Sequence, residues 1–366
     1  MLRLRSKITD NKALCGARAS IDQIGMIIMD SRQTALQAWL GPALRKTFAD
    51  HDWGSPGSGE LIAASADASF RRYFRWVDGP RTLIIMDAPP EHEDTRPFVK
   101  VAALLAEAGV RVPHIYASDV EQGFLLLEDV GDRTFLEAMQ EGMLTEERQR
   151  LFRSAIDQLI AWQLSSRPGV LPDYDEAVLR RELGLFPEWF VARHLSRQFT
   201  DSEQDDWEAL CSVLLQSILA EPRVFVHRDY MPRNLMAATG TPAVLDFQDA
   251  LYGPLSYDVT CLFADAFFSW PAAERVAWVQ VYWDKAQAAG LPVPANFDTF
   301  INQSRLMGVQ RHLKVLGIFA RIRYRDGKPR YLEDAPRFVA YLREACAADQ
   351  RLAPLQRLLD SLELQA

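Results

Sequence analysis

The sequence lacks the features that mark membrane-spanning and nucleic-acid-binding proteins. No apolar run approaches the ~20 residues that a transmembrane helix needs. No long run of lysine or arginine occurs, and the formal net charge of the 366 residues is -8 at pH 7, whereas binding to phosphate backbones needs a clustered basic surface. We therefore expect small-molecule partners, with no nucleic acid and no membrane among them.

Closely spaced cysteines, which would indicate a zinc site or a disulfide framework, are missing as well. Four cysteines lie far apart in the chain and form no C-x-x-C pair: Cys15, Cys211, Cys261 and Cys346. This usage is typical of reduced thiols in a cytoplasmic protein. A secretory signal is not predicted, because the apolar stretch 24–29 is short and no small-residue cleavage site follows it.

No internal repeat or low-complexity linker divides the chain, so its organisation has to be inferred from size and pattern. Single hydrophobic cores stop growing near ~250 to 300 residues, and 48% of these 366 residues are hydrophobic, so we expect two lobes. We predict an N-terminal extension over residues 1–32, an N-lobe over 33–129 and a C-lobe over 130–366. For residues 1–28, two interpretations are open: an upstream start or disordered tail, and a short amphipathic segment.

Hydrophobic patterning predicts a different architecture for each lobe. Between about residues 61 and 129, short apolar runs separated by turns predict strands around one main helix. The last of these runs, 123–129, ends in carboxylates and is placed to act as the hinge. From Thr134 onward helical patterns dominate. The predicted fold class is α+β, with a small β-rich N-lobe, a larger and mostly helical C-lobe, and chemistry at the crevice between them.

The segment 226–234 carries the clearest chemical signal. It contains H-R-D-x-x-x-x-N, the spacing of a kinase catalytic loop, and a further aspartate follows twelve residues later. In this pattern Asp229 is the base that accepts the proton of the substrate hydroxyl, while Asn234 and Asp246 hold Mg²⁺ through oxygen. The segment predicts ATP- and Mg²⁺-dependent phosphoryl transfer.

The local context strengthens that interpretation. Short apolar, β-rich segments at 223–226 and 243–245 precede the two motifs, so the motif residues are expected at the ends of buried strands. Either motif alone is as compatible with a surface turn or a strand end as with catalysis, whereas both together favour catalysis. For His227 we predict a packing role that braces the loop rather than acid or base chemistry.

Three segments resemble one particular group of kinases. Residues 65–73, 226–236 and 245–250 are similar to the N-acetylmuramate and N-acetylglucosamine anomeric kinases of cell-wall recycling, within the aminoglycoside phosphotransferase and choline kinase superfamily. The resemblance covers roughly residues 33–340 and implies a bilobal, protein-kinase-like fold. It also implies transfer of the ATP γ-phosphoryl to the O1 hydroxyl of an amino sugar. We expect a monomer or weak oligomer that uses ATP and Mg²⁺. Asp258 resembles the downstream aspartate that braces the catalytic loop, with a helix N-cap as the alternative.

One position departs from the kinase pattern. Kinases usually place a lysine on the third strand to pair with the phosphates, but Met86 stands at that position here. Either a nearby cation substitutes, with Arg71, Arg72 and Lys100 as candidates, or metals and the backbone N–H groups of the turn 65–69 hold the phosphates. The predicted nucleotide-binding residues are Ser65, Ser69, Phe70, Arg72, Glu128 and Asp129.

The acceptor side is defined by resemblance and by chemistry. A muramate carries a lactyl carboxylate, which an arginine can bind in bidentate fashion. A tryptophan can stack on a sugar face, although Trp189 beside two phenylalanines is also typical of a core residue. The predicted acceptor contacts are Arg181, Glu182, Trp189, Arg233, Gln248, Asp249 and Arg311.

Two other functions compete with this prediction. The same fold serves aminoglycoside, choline and homoserine kinases, whose polycationic or small acceptors need differently charged clefts. A catalytically silent nucleotide-binding module is the alternative from another class, and the missing strand lysine is its only support. Against it stands the complete set of Asp229, Asn234 and Asp246, which a binding module has no physical reason to keep.

Overall fold

A five-stranded antiparallel sheet and one long helix form the first of two units into which the chain divides. In the computed structural model, the first unit comprises Met1–Thr95 and His114–Asp129, and the second comprises Arg96–Pro113 and Val130–Ala366. The structure describes residues 12–66, 70–238, 240–264 and 266–365, and the side chains from residue 31 onward except those of residues 65 and 66. The first part of the predicted N-terminal extension, residues 1–11, lies outside the described residues.

The sheet has the strands that the sequence predicts, in the order β1-β2-β3-β5-β4. Its strands are β1 (Glu60–Ala66), β2 (Arg72–Asp78), β3 (Arg81–Asp87), β4 (Ile115–Asp119) and β5 (Phe124–Glu128). A two-residue turn at Gly79 and Pro80 joins β2 to β3, and Gly79 has a φ of 59°, which a residue without a side chain adopts at no steric cost. In this register Met86 lies between Tyr73 and Leu125.

Helix α1 (Lys12–Asp50) packs on this sheet through residues spaced four apart. Leu36, Leu40, Leu44 and Phe48 recur on one helical face and are at most 6% exposed. They form a core cluster with residues of three strands: Trp76, Leu83, Ile85, Phe124 and Leu126. The helix therefore covers one face of the sheet, and residues 12–32 of the predicted N-terminal extension form its first turns.

Helices dominate the second unit. They are α2 (Arg96–Glu107), α3 (Phe135–Gln140), α4 (Thr145–Leu164), α5 (Glu176–Leu183), α6 (Asp201–Leu219), α7 (Tyr257–Phe263), α8 (Ala272–Ala288), α9 (Phe297–Asp326), α10 (Ala335–Ala348) and α11 (Ala353–Ser361). A π-helix runs over Phe186–His194, and 3₁₀ turns lie at Pro232–Asn234, Pro329–Asp334 and Gln350–Leu352. The apolar side chains that recur at helical spacing in α4 and α9 are buried, among them Leu151, Leu159, Leu313 and Leu316.

Two small strand pairs carry the predicted catalytic segments. Strand β6 (Arg223–Val226) pairs with β9 (Leu251–Pro254), and β7 (Leu235–Met236) pairs with β8 (Ala243–Val244). The two expected strands are thus present, but each pairs with its own partner. Both motifs begin where a buried strand ends, because β6 is followed directly by His227 and β8 by Leu245 and Asp246.

Two further sequence expectations concern the membrane and the thiols. None of the helices in the described part of the chain is long and apolar enough to cross a membrane. Cys211, Cys261 and Cys346 are free thiols, and the first two of them are buried. Burial raises the pKa of Cys211 to about 12, which keeps that thiol protonated and unreactive.

Candidate active site

The segment after β6 turns sharply to present Asp229. Arg228, which precedes it, has a φ of 77°, in the left-handed region that non-glycine residues seldom adopt. Backbone conformations of this kind cost roughly 1–3 kcal/mol and persist only where the surroundings enforce them. Asp229 itself is half-buried. Among the described residues, its carboxylate receives no hydrogen bond or ion pair, so it is available to a substrate hydroxyl.

Asp258 stabilises this turn through two hydrogen bonds to its backbone. Its two carboxylate oxygens accept the backbone N–H groups of His227 at 2.7 Å and of Arg228 at 2.9 Å. Asp258 is completely buried in the first turn of α7, and burial raises its pKa to about 7. The N-cap of that helix is Ser256, so Asp258 contacts the loop rather than capping the helix.

His227 joins the two predicted catalytic segments. Its Nδ1 accepts the backbone N–H of Asp229 at 3.2 Å, and its Nε2 lies 3.1 Å from the carbonyl oxygen of Leu245, the residue before Asp246. An accepting Nδ1 leaves Nε2 as the donor, which defines a neutral imidazole with its proton on Nε2. Burial lowers the pKa of His227 to about 4, so the ring stays neutral near pH 7.

The predicted metal residues flank one strand pair, because Asn234 ends the 3₁₀ turn before β7 and Asp246 follows β8. The backbone N–H of Leu245 donates to the carbonyl of Asn234 at 2.9 Å, which places Asp246 next to Asn234. The side-chain amide of Asn234 donates to the carbonyl of Asp229 at 2.9 Å, so its amide oxygen is the atom that could bind a metal ion. Asp246 has a φ of 62°, a second backbone conformation of the strained kind.

An amide and one carboxylate fit a magnesium ion that is shared with substrate phosphates. Mg²⁺ typically takes one or two carboxylates and fills its octahedron with water and phosphate oxygens. No cluster of three His, Cys, Asp or Glu side chains suited to a metal occurs in the described part of the chain. This donor set fits a metal ion that a bound nucleotide helps to coordinate.

Gln248 and Asp249 lie directly beyond Asp246. The side-chain amide of Gln248 donates to Asp246 at 2.8 Å, and its carbonyl oxygen is buried without a hydrogen-bond partner among the described residues. A buried acceptor without a donor is typical of a site that water or a ligand completes. Asp249 is exposed, so its carboxylate can contact a ligand.

The predicted acceptor contacts differ in accessibility. Arg181 is exposed on α5, while Trp189 and Arg233 are half-buried. Arg233 lies in the catalytic loop with its guanidinium 4.9 Å from the ring centroid of Phe267. Arg311 is only 2% exposed, and its Nη2 lies 3.8 Å from the sulfur of Met231 in the same loop. Arg311 therefore supports the loop from within the core.

Glu182, one of the predicted acceptor contacts, forms hydrogen bonds and ion pairs with four side chains of the protein. It is buried, and its carboxylate contacts the side chains of Tyr174, Arg228, Gln310 and Lys314. Although burial favours the protonated acid, the two cations lower the pKa of Glu182 to about 2. Its oxygens are thus occupied by protein groups, a role that the sequence did not predict.

The predicted nucleotide-binding residues lie in the first unit. Ser65 belongs to β1, where only its backbone is described, and Ser69 lies outside the described residues. Phe70 is 63% exposed and stacks on His92 with ring centroids 4.4 Å apart. Glu128 ends β5 and accepts the backbone N–H of His114 at 3.3 Å, while Asp129 forms an ion pair with Arg75 at 2.6 Å.

Strand β3 ends in a carboxylate, Asp87. The residue before it, Met86, stands at the position where other kinases have a lysine. Met86 is 1% exposed and Asp87 is fully buried. The Nε atoms of Arg32 and Arg72 each donate to Asp87 at 2.9 Å. Of the other candidate cations, Arg71 contacts Glu93 in the first unit and Lys100 contacts the carbonyl of Val170 in the second. Arg72 is thus oriented by Asp87, which sequence analysis had not singled out.

A family model matches most of the region that contains these residues. The phosphotransferase enzyme family model covers residues 60–296, from β1 to the segment before α9. The chain belongs to this family. That span contains both strained turns, the two strand pairs and the complete sheet of the first unit.

Two curated relatives cover almost the whole chain. The N-acetylmuramate/N-acetylglucosamine kinase of Pseudomonas aeruginosa is 56% identical over 333 residues, which are 91% of this chain and 97% of that protein. The kinase of the same name from Pseudomonas putida is 52% identical over 337 residues, 92% of this chain and 98% of that protein. The predicted resemblance to this group of kinases is confirmed.

Solved structures agree on the fold. The choline kinase of Cryptosporidium parvum superposes with a TM-score of 0.59 at 11% identity, covering 87% of this chain and 98% of that one. At this identity the likeness concerns the fold alone. It confirms the predicted α+β, protein-kinase-like fold with a β-rich first unit and a mostly helical second unit. Because the chain belongs to the phosphotransferase enzyme family and is 56% and 52% identical to two kinases, it is an ATP-dependent kinase.

Proposed function

We propose that this kinase transfers the ATP γ-phosphoryl to the anomeric O1 hydroxyl of N-acetylmuramate, N-acetylglucosamine or both, giving a sugar 1-phosphate for peptidoglycan recycling. The observation that carries the proposal is the loop geometry around Asp229, in a chain 56% identical to a kinase named for these sugars. ATP and Mg²⁺ are the proposed cofactors. We place the reaction in the cytoplasm, in a monomer or weak oligomer.

Asp229 is proposed as the base. Its half-buried carboxylate accepts the proton of the sugar hydroxyl as the phosphoryl group is transferred. An anomeric hydroxyl is more acidic than an ordinary alcohol, so a carboxylate of modest basicity suffices, and positioning supplies most of the remaining rate. His227 and Asp258 hold the loop in this position and exchange no proton with the substrate.

Asn234 and Asp246 are proposed to hold the magnesium ion. Bound Mg²⁺ neutralises charge on the phosphate oxygens during transfer. Asn234 contributes its amide oxygen, because its amide nitrogen is used on the carbonyl of Asp229. Gln248 steadies Asp246 through one carboxylate oxygen.

On the nucleotide side, we propose that Arg72 takes the place of the missing strand lysine. Its partner Asp87 holds the guanidinium as the acidic residue of a kinase holds the lysine. The guanidinium has five N–H donors, so donors remain for a phosphate after those to Asp87. Backbone N–H groups of residues 65–69, together with Phe70, Glu128 and Asp129, complete the proposed nucleotide contacts.

The acceptor contacts are proposed from accessibility and charge. Arg233 and Arg181 are cations open enough to bind a lactyl carboxylate, whereas Arg311 is buried. Asp249 and Gln248 are proposed to hydrogen-bond sugar hydroxyls, and Trp189 to stack on a sugar face. This mixture of cation and carboxylate suits an anionic or neutral sugar better than a polycationic drug.

A panel of acceptors tests this function. Release of ADP is measured with N-acetylmuramate, N-acetylglucosamine, choline, homoserine and aminoglycosides at saturating MgATP. We expect turnover with the two N-acetyl sugars at least 100-fold above that with the amines, the order of discrimination that lost charge pairing gives. Turnover confined to choline or to an aminoglycoside would overturn the proposal, while turnover with none of the acceptors would favour a silent nucleotide-binding module.

A further inference from the structure

We propose that Glu182 is a positioning residue for the catalytic loop and that it acts by holding the side chain of Arg228. Neither residue is placed on the reacting atoms. The inference deepens the proposed function, because it assigns to a residue of α5 the control of where Asp229 stands. It rests on four contacts of one buried carboxylate and on the strained backbone of Arg228.

The contacts use both oxygens of Glu182. One oxygen lies 2.5 Å from Nη2 of Arg228 and 3.0 Å from Nζ of Lys314. The other accepts the side-chain amide of Gln310 at 3.1 Å and the hydroxyl of Tyr174. The side chain of Glu182 is only 6% exposed and that of Lys314 only 10%. A carboxylate with four donors around it is fixed in one orientation.

The charged cluster of Glu182, Arg228 and Lys314 is not neutral. Two cations face one anion, so the cluster carries a net positive charge inside the helical unit. Buried ion pairs contribute little net stability, because desolvation offsets the attraction between the charges. Their best-attested benefit is to specify one arrangement among several. Stability alone therefore gives a weak reason for this cluster beside the catalytic loop.

Arg228 is held at every polar group of its backbone as well as at its side chain. Its N–H donates to Asp258 at 2.9 Å, and its carbonyl oxygen accepts from the thiol of Cys261 at 3.1 Å. Its guanidinium reaches Glu182 and the carbonyl of Asp249. Asp229, by contrast, is attached to its surroundings only through its own backbone among the described residues. The backbone that carries this carboxylate is therefore positioned by Arg228 together with the contacts of Asp229 to His227 and Asn234.

Lys314, the second cation beside Glu182, differs from Arg228 in its contacts. Its ammonium also contacts the hydroxyl of Tyr257 at 3.1 Å, in the first turn of α7. It shares the Glu182 oxygen with Arg228 and so keeps the glutamate ionised inside the protein. In the described part of the chain, Lys314 makes its hydrogen bond and ion pair outside the loop, to Tyr257 and Glu182, and it acts on Asp229 only through its charge. Removing it therefore changes the charge of the cluster, whereas removing the Glu182 charge releases the loop.

The variant Glu182→Gln tests whether the carboxylate positions the catalytic loop. Glu182→Gln keeps the shape of the side chain but removes the carboxylate that the half-buried Arg228 and the buried Lys314 share. We expect kcat to fall about 100-fold, the order that a misplacement of about 1 Å costs. The KM for MgATP stays within about 3-fold of the wild-type value, because the lost interaction acts on the transition state. The thermal midpoint falls as well, so a control for stability is required.

Glu203 supplies the matched control. It is a second buried glutamate, 4% exposed, which pairs with Arg197 at 2.5 Å and accepts from the hydroxyls of Thr200 and Ser361. It caps α6, away from the catalytic loop. Glu203→Gln is expected to lower the thermal midpoint and to leave kcat unchanged. A fall in kcat equal to that of Glu182→Gln would show that loss of stability alone explains both.

A double variant decides the matter. Glu182→Gln with Lys314→Met restores the wild-type net charge of the cluster while Arg228 stays without its anion, and Lys314→Met alone completes the cycle. We expect the double variant to regain most of the thermal midpoint and little of kcat. Recovery of both, or an unchanged kcat in Glu182→Gln, would overturn the inference. Turnover is measured on whichever acceptor the wild type phosphorylates, so failure to form a sugar 1-phosphate would refute the proposed function and leave this test intact.

Discussion

At the scale of single residues, the loop around Asp229 is fixed by groups that have no access to water. Asp258 and His227 are at most 1% exposed, and each of them connects to the loop through backbone atoms. A buried polar group that loses its partner costs about 1–3 kcal/mol. The loop therefore has one strongly favoured conformation, in which the carboxylate of Asp229 is the group left for chemistry.

Substitution of the base gives the first prediction. Asp229→Asn keeps the volume of the side chain but cannot accept the hydroxyl proton, so we expect kcat to fall by roughly 10²- to 10⁴-fold. ATP binding is expected to be retained, because the proposed magnesium residues Asn234 and Asp246 are unaltered. Steady-state turnover and nucleotide titration on the same preparation measure the two effects. A variant that turns over at the wild-type rate would rule out Asp229 as the base.

Arg72 gives a second prediction at this scale. Arg72→Gln removes the proposed phosphate cation and leaves Asp87 paired with Arg32. We expect the KM for MgATP to rise about 10- to 100-fold, since a hydrogen bond to a charged group contributes about 1.5–3 kcal/mol. The matched control is Arg81→Gln, because Arg81 lies in the same sheet and its guanidinium stacks on aromatic rings, 4.1 Å from that of Trp53 and 5.4 Å from that of Phe48. Equal KM values for both variants would remove Arg72 from the nucleotide site.

At the scale of elements, α9 connects the chemistry to the helical core. This 30-residue helix places Gln310, Arg311 and Lys314 towards the loop and its network, although each of them is at most 8% exposed. Such a run of buried polar side chains is stable only where every one of them finds partners. These contacts form only if α9 packs at a defined distance from its neighbours. Gly317 permits a close approach of α9 to the backbone of Leu185.

Two glycines of α9 give a matched pair of variants. A Cβ atom on Gly317 would lie 2.4 Å from the carbonyl carbon of Leu185, whereas the nearest atom to a Cβ on Gly308 is a methyl carbon of Thr260 at 3.4 Å. We expect Gly317→Ala to lower the free energy of unfolding by about 1–3 kcal/mol through overpacking. Gly308→Ala is neutral or stabilising by up to about 1 kcal/mol, since alanine favours helix. Denaturant titration of the two variants measures the difference, and equal stabilities would refute the close packing.

At the scale of the whole molecule, local signals in the sequence were enough for the fold class and for the loop. Strand, turn and helix patterns lie within short windows, and H-R-D-x-x-x-x-N places its chemistry within eight residues. Contacts between distant segments carry no such signal. Glu182 meets Arg228 across 46 positions and Gln310 across 128, and Arg32 meets Asp87 across 55. Arg72 was among the cations that the sequence predicts, but the ion pairs that hold the loop and the pairing of Asp87 that orients Arg72 became visible only in the structure.

The pH dependence of stability supplies a prediction for the molecule as a whole. Glu221 is buried and accepts the N–H and the hydroxyl of Ser256, and burial raises its pKa to about 7. Because the pKa is higher in the folded state, the stabilisation from this group is fully present below the unfolded value of about 4.3 and is lost as the pH rises through about 7. Glu221→Gln removes this dependence. We expect the variant to gain stability relative to the wild type between pH 5 and pH 8, measured by denaturant titration; a difference that does not change with pH would contradict the shifted pKa.

The product of the reaction tests the central claim most directly. N-acetylmuramate and MgATP are incubated with the enzyme, and the product is identified by phosphorus NMR through the coupling of the phosphate to the sugar protons. The proposed role of Asp229, acting on an anomeric hydroxyl, predicts a phosphate at C1. A phosphate at C6, or at any other hydroxyl of the sugar, would contradict the account.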